Sequence, residues 1–225
     1  MGTRSLITAL WLLQLPSLWA GKLLDRAIAT VNGHVLLASE WDDELRYECF
    51  MAKRPSQDLT AEDRKAALDR LIDQELLREQ MHSAEFKLVS SSEVDQQLES
   101  LKNQFTPQSE AKSWGQSLAS YGISEKLVRD HVELELNQLR LVEARLRPSI
   151  QVDAQAVESY YKEQMLPKLP PGKQPGLDQI APKIRELLVE TKLNELLSSW
   201  LETLRSQARI QVLDPSFSPP LPEGQ

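Results

Sequence analysis

The stretch DRAIATVNGHVLLASEW, residues 25–41, contains the signals for two strands, a tight turn and a helix start in direct succession. The residues on either side of Asn32-Gly33 are rich in apolar and β-branched side chains, as in short strands. Asn-Gly is the dipeptide that best tolerates the two positive φ angles of a type I′ turn. Ser39 then stands where a helix N-cap is expected, ahead of several acidic residues. The stretch therefore predicts a β-hairpin that leads directly into a helix.

The segment before this hairpin has the order of a secretory signal peptide. Arg4 precedes a long apolar run, and the small residue Ala20 follows it. Gln14 and Pro16 interrupt the run, which is shorter than the ~20 residues that a transmembrane helix needs. We expect export and cleavage after Ala20, with no membrane insertion afterwards. An uncleaved, membrane-tethered form is the second interpretation.

Composition restricts the class of protein. The 225 residues carry a net charge of −7 and no basic cluster, so nucleic acid is not an expected partner. Cys49 is the single cysteine, which excludes an internal disulfide. Aromatic residues make up 6% of the chain and there are only 8 glycines, which argues against an all-β sandwich or barrel. The expected fold is mainly α, a multi-helix module with a small β element that joins the two ends of the chain.

Start and stop signals divide the rest of the chain into helices. Capping boxes are formed by Thr60 with Asp63 and by Ser90 with Glu93. Further N-caps are expected at Ser124 and Asp153, and Gly122 is expected to end a helix in the left-handed conformation. We expect helices at residues 40–51, 61–86, 93–105, 107–121, 125–146, 154–164 and 177–208, and a last strand at residues 209–213.

One proline-rich segment, MLPKLPPGKQPG at residues 165–176, interrupts the helical pattern. Its four prolines and two glycines predict a stiff, exposed connection. The last residues are too polar and proline-rich to be buried. The expected organisation is a signal peptide at 1–20, a helical domain at 21–164, the connection at 165–176, a C-terminal helix and strand at 177–213 that complete the same module, and a disordered tail at 214–225.

Several blocks, taken in order, resemble the SurA-type periplasmic chaperones and their parvulin-linked relatives. They are AIATVNGHVLLASEW, ALDRLIDQELL, VSSSEVDQQLESLKNQF and YGISEKLVRDHVELELNQLRLVEARLRPSIQVDAQAVESYY. This resemblance covers residues 25–161. Residues 180–212 also look like the C-terminal segment that completes the chaperone module in that family.

The chain departs from the family pattern at the proline-rich connection. Most members carry one or two parvulin prolyl-isomerase domains at that place, and here only residues 165–176 occupy it. The histidines that a parvulin site would need are reduced to His34, His82 and His131, which are distant in sequence and lack metal-ligand spacing. We interpret the acidic run at residues 42–44 as a solvated first turn. We therefore expect no isomerase activity, no catalytic residues, no metal and no cofactor.

The resemblance implies a periplasmic, ATP-independent holdase that binds unfolded outer-membrane or secreted proteins in a groove between helices. One alternative is a non-catalytic assembly or structural subunit of the envelope that binds one specific partner. Another is a protein that accompanies a separate full-length isomerase. Phe50 and Met51 are expected to be exposed and Trp114 to be a core residue. The candidate client contacts are Tyr47, Phe50, Met51, Trp114 and Tyr121.

Overall fold

The computed structural model describes residues 25–83, 86–105, 113–170 and 174–214. The expected signal peptide, Pro107 and residues 215–225 lie outside the described residues. The described chain forms seven α-helices and one three-stranded sheet, which confirms the mainly α class. The elements are β1 Ala27–Val31, β2 His34–Leu37, α1 Ala38–Met51, α2 Ala61–Ser83, α3 Ser91–Phe105, α4 Trp114–Ser120, α5 Glu125–Leu146, α6 Ala154–Tyr160, α7 Leu177–Gln207 and β3 Ile210–Val212.

The predicted hairpin is confirmed. Asn32 and Gly33 both have positive φ, 51° and 97°, so the turn has the geometry that the dipeptide favours. β1 and β2 pair antiparallel, with Thr30 opposite Val35, and a bulge interrupts the register between Ala27 and Ala29. α1 begins directly after β2 without a loop.

The predicted third strand is also confirmed, because β3 pairs antiparallel with β1. The sheet order is therefore β2-β1-β3, with the hairpin's first strand in the centre. Asn32 links the turn to the end of the chain: its backbone N–H donates to the Arg209 carbonyl, and its side-chain oxygen accepts from the Arg209 N–H, both at 2.9 Å. The Ile28 carbonyl accepts the Leu213 N–H at 2.8 Å. The two ends of the described chain thus close on one strand.

Most of the predicted helix caps are formed. The Thr60 N–H donates to Asp63 and the Asp63 N–H donates back to the Thr60 hydroxyl. Ser124 accepts from the Leu127 N–H, and Gly122 has φ of 68° after α4. The Ser90–Glu93 capping box and the Asp153 cap are present as well.

The expected N-cap of α1 is wrong. α1 begins at Ala38, so Ser39 is already inside the helix, and its hydroxyl and N–H both donate to the Asp25 carboxylate. The N-cap is Leu37, whose N–H donates to the Glu40 carboxylate at 2.8 Å, and the Ala38 N–H donates to the Arg26 carbonyl at 2.8 Å. Ser39 therefore binds the Asp25 carboxylate, which lies ahead of the hairpin, instead of capping the helix.

Other element boundaries also differ from the expectations. α4 begins at Trp114, where Ser113 and Gln116 form a capping box, rather than at residue 107. The helix expected over residues 154–164 is α-helical only to Tyr160 and then becomes a π-helical turn, Tyr161–Met165. The proline-rich connection contains a 3-10 turn, Leu166–Lys168. Asp214, expected in a disordered tail, is buried and paired with Arg26 at 2.6 Å.

The apolar residues form two cores, one at each end of α1. One core packs the sheet against α2 and includes Ile28, Val31 and Ile72. The other packs the end of α1 against α3, α4 and α5 and includes Phe50, Leu98 and Val128.

The long helix α7 is attached to α2 by an arginine. The Arg205 guanidinium donates to the carboxylates of Asp69 and Asp73 and to the Asp69 carbonyl, while Leu204 packs against the sheet core. α7 also contacts α5 and α6. Pro182 lies in its second turn and cannot donate to the Asp178 carbonyl. Among the described residues, no helix is both long and apolar enough to cross a membrane.

Because β1 needs a partner on each side and the sheet core needs Leu204, we expect deletion of residues 177–225 to abolish cooperative folding. The deleted protein should aggregate or show no thermal transition by circular dichroism. The full chain is the control, and a truncated protein that stays monomeric with an unchanged melting temperature would contradict the closure of the module.

Candidate peptide-binding grooves

The five candidate contact residues lie close together, but mostly inside the fold. Phe50 is 1% exposed and stacks on Phe105, with ring centroids 4.5 Å apart. Trp114 and Tyr121 meet the Phe50 ring edge-on at 5.7 and 5.6 Å. Tyr47 is buried in the same core. The expected exposure of Phe50 is therefore wrong, because α3, α4 and α5 cover it.

Met51 differs from its neighbours because it is 38% exposed at the end of α1. Trp114, expected in the core, is half-buried and packs against it, and its indole N–H donates to Glu125 at 2.9 Å. Of the five candidates, Met51 thus has the apolar side chain most open to a polypeptide.

A buried polar cluster lies beside Tyr47, where α1, α2 and α5 meet. Glu44, interpreted from the sequence as solvated, is only 3% exposed and accepts a hydrogen bond from Gln74 at 3.3 Å. The His131 ring stacks on Tyr47, with centroids 4.0 Å apart, and its Nδ1 lies 3.7 Å from Glu44. The Tyr47 hydroxyl donates to Glu135 at 3.0 Å. The packed helices therefore bury Glu44, and its interpretation as a solvated residue is wrong.

Desolvation dominates the electrostatics of this cluster. It lowers the pKa of His131 to about 4, and it raises the pKa of the Glu44 and Glu135 carboxyls. Hydrogen bonds and the Arg70 guanidinium oppose the shift of the Glu44 pKa, and the charge of Asp130 opposes that of the His131 pKa. The Glu44 carboxylate would favour an imidazolium at 3.7 Å, but the cost of burying the charged ring is larger. His131 is therefore neutral at physiological pH.

Two apolar grooves open on the helical surface. The first, called here the α2–α5 groove, has a volume of about 360 Å³ and lies between the end of α2, the segment that follows it, and α5. Its apolar lining is formed by Met81, Phe86, Leu88 and Leu134. Leu88 is 58% exposed, the highest value among the large apolar residues described.

Polar contacts hold this exposed segment in place. The buried Asn137 side chain accepts the Val89 N–H at 2.8 Å. The Arg140 guanidinium donates to the carbonyls of Lys87 and Leu88 and pairs with Glu93. Because the backbone of the segment is bound to α5 in this way, Leu88 remains at the groove instead of collapsing into a core.

The second groove, called here the α6–α7 groove, has a volume of about 390 Å³. The π turn and the 3-10 turn form one wall and the first turns of α7 form the other. Leu187 is 42% exposed at this groove. The lining is Tyr160, Gln164, Met165, Lys168, Leu169, Ile180, Lys183, Ile184 and Leu187.

Both volumes lie at the lower end of the range for ligand sites, roughly 300–1,000 Å³, and suit one or two side chains of an extended polypeptide. Sequence reasoning did not select these groove residues as contacts, although Ile180, Ile184 and Leu187 belong to the apolar pattern of the last helix. The signal in the sequence that could have indicated them was the broad apolar face of this helix, which is wider than one packed surface needs. Of the many apolar residues of α7, only Ile184 and Leu193 are buried.

The burial of Phe50 predicts unequal effects at two adjacent positions. Phe50→Ala should lower the free energy of unfolding by about 3–5 kcal/mol, because it leaves a cavity in a packed aromatic core. Met51→Ala should change it by less than about 1 kcal/mol. Urea denaturation measures both. Equal effects of the two substitutions would show that Phe50 is not a core residue.

The lowered pKa of His131 predicts a loss of stability in acid. Between the ordinary pKa of 6.5 and about 4, the unfolded chain binds a proton that the folded His131 does not, so stability falls as pH falls through this window. The loss should reach on the order of 2–3 kcal/mol, partly offset by the raised pKa values of Glu44 and Glu135.

His131→Gln isolates the contribution of the histidine. Urea denaturation of both proteins at about pH 7.5 and about pH 5 should show a smaller loss in the variant. An identical pH dependence in the two proteins would contradict the neutral, buried histidine.

Comparison with known proteins identifies the family of the chain. The family model described as the SurA-like N-terminal domain matches residues 6–142, more than half of the chain. The match includes β1 to the greater part of α5, and thus the whole α2–α5 groove. No curated protein matches the chain. The chain belongs to the SurA-like N-terminal domain family, whose domain is a chaperone-type module.

Proposed function

We propose that this protein is an ATP-independent periplasmic holdase. It binds unfolded outer-membrane or secreted polypeptides at its apolar grooves, delays their aggregation and releases them unchanged. Membership of the SurA-like N-terminal domain family supports a chaperone-like role and the periplasmic location. The signal-peptide pattern of residues 1–20 supports export.

The observation that carries this proposal is the apolar surface that the two grooves leave uncovered. Leu88 and Leu187 project at grooves whose linings also contain the flexible side chains of Met81 and Met165. Methionine adapts its shape to different partners, which suits a binder of many sequences. Each groove offers only a weak contact. By binding unfolded chains, the protein lowers the concentration of free unfolded chain by mass action.

We also propose that the chain has no prolyl-isomerase activity and needs no cofactor. The resemblance to the parvulin-linked chaperones covers their binding module, and the proline-rich segment stands where an isomerase domain is inserted in most members. A standard proline-isomerisation assay should therefore show no acceleration by the purified protein, and efficient catalysis would refute this point.

The central test is suppression of aggregation without ATP. Several unrelated denatured proteins, including a β-barrel protein, should aggregate more slowly in modest molar excess of this protein. Leu88→Ser and Leu187→Ser together should weaken the suppression several-fold, because each removes apolar contact area from one groove.

Leu139→Ser is the matched control for these variants. Leu139 is 56% exposed but belongs to neither groove lining, so its replacement should leave suppression unchanged. If no client is protected and the protein instead copurifies with one partner at fixed stoichiometry, it is an assembly subunit of the envelope and the holdase proposal is wrong.

A further inference from the structure

The two grooves differ in charge. Lys168 and Lys183 belong to the lining of the α6–α7 groove, which contains no carboxylate, and neither lysine is ion-paired within the described part of the chain. The lining of the α2–α5 groove contains Asp130 and Glu133 as well as cationic side chains. In a chain of net charge −7, an apolar groove whose two charged lining residues are both lysines is a local exception. Its field attracts carboxylates.

The position of the two lysines makes the attraction specific to this groove. Lys168 is exposed on the 3-10 turn and Lys183 is exposed on α7, so one cation stands on each wall. Glu163 and Glu186 are on the same two walls but do not line the groove. The rest of the lining is mainly apolar and includes Met165.

The backbone of both walls departs from regular α-helix. The α-helical hydrogen bonds of α6 give way to the π turn at Tyr161–Met165, and Pro182 removes one hydrogen bond from α7. The Tyr161 hydroxyl donates to the Pro175 carbonyl at 2.7 Å and links the π turn to the segment before α7. Single π turns inside helices are found frequently at functional sites.

We propose that the α6–α7 groove binds extended segments of unfolded polypeptide in which a large apolar side chain lies beside acidic residues. The apolar side chain packs on the apolar lining, and the flanking carboxylates pair with the ammonium groups of Lys168 and Lys183. This inference rests on the proposed function, since it names the class of client segment that one groove selects. Segments with basic flanks are disfavoured by the same two charges.

Peptide binding tests the selection directly. Three fluorescent peptides share a central Leu-Phe pair and differ only in flanks of aspartate, serine or lysine. Fluorescence anisotropy with the full protein should show binding about 3- to 10-fold tighter for the aspartate peptide than for the serine peptide, as two exposed ion pairs allow. The lysine peptide should bind most weakly. At about 0.5 M sodium chloride the difference should largely vanish, because the ion pairs are exposed.

Charge reversal identifies the groove. Lys168→Glu with Lys183→Glu should reverse the order of the aspartate and lysine peptides while leaving the melting temperature unchanged. Lys65→Glu with Arg185→Glu is the matched control, because it changes the net charge equally at exposed cations outside the groove lining. The control should keep the order of the unmodified protein.

Each outcome separates this inference from the proposed function. If the protein suppresses aggregation but binds the three peptides equally, or if the reversal and control variants behave alike, the inference is wrong and the holdase proposal stands. If the aspartate peptide binds selectively but no denatured protein is protected, the groove selects acidic segments in some role other than a holdase. If neither peptides nor denatured proteins bind, both proposals are wrong.

Discussion

The pairing of β1 with strands from both ends of the described chain is the constraint on which the rest of the structure depends. A two-stranded hairpin is marginally stable in water, and β3 supplies the third strand from the far end of the sequence. Asn32 forms the turn and also binds the end of the chain, because its backbone N–H donates to the Arg209 carbonyl and its side-chain oxygen accepts the Arg209 N–H. Once β3 is paired, α7 must run back along the helices, and Arg205 fixes it to α2.

This closure explains why apolar surface remains open along α7. The helix is 31 residues long, and its C-terminal end is attached to the sheet core through Leu204. Its first turns lie beside α6 and the π turn, where Leu187 stays exposed. An apolar pattern that would bury a helix in a larger protein therefore lines a groove here.

Polar contacts keep both grooves from collapsing. Asn137 and Arg140 hold the backbone around Leu88 against α5, and Tyr161 holds the π turn against the segment before α7. Fixed backbone with exposed apolar side chains combines a defined position with adaptable contacts. The buried cluster of Glu44, Tyr47 and His131 lies at the junction of α1, α2 and α5, so the packing of these three helices is coupled to the protonation of its buried groups.

Local signals in the sequence determined the turn at Asn32-Gly33, the caps at Thr60, Ser90, Ser124 and Asp153, and the predominance of helix, because these depend on residues a few positions apart. Only the tertiary structure decided which apolar side chains are covered. Phe50 and Met51 are adjacent and similar in sequence terms, yet α3, α4 and α5 bury one and leave the other open. Glu44 and Asp214 are buried for the same reason. Ser39 binds the Asp25 carboxylate instead of capping α1. Burial depends on neighbours distant along the chain, which no local pattern contains.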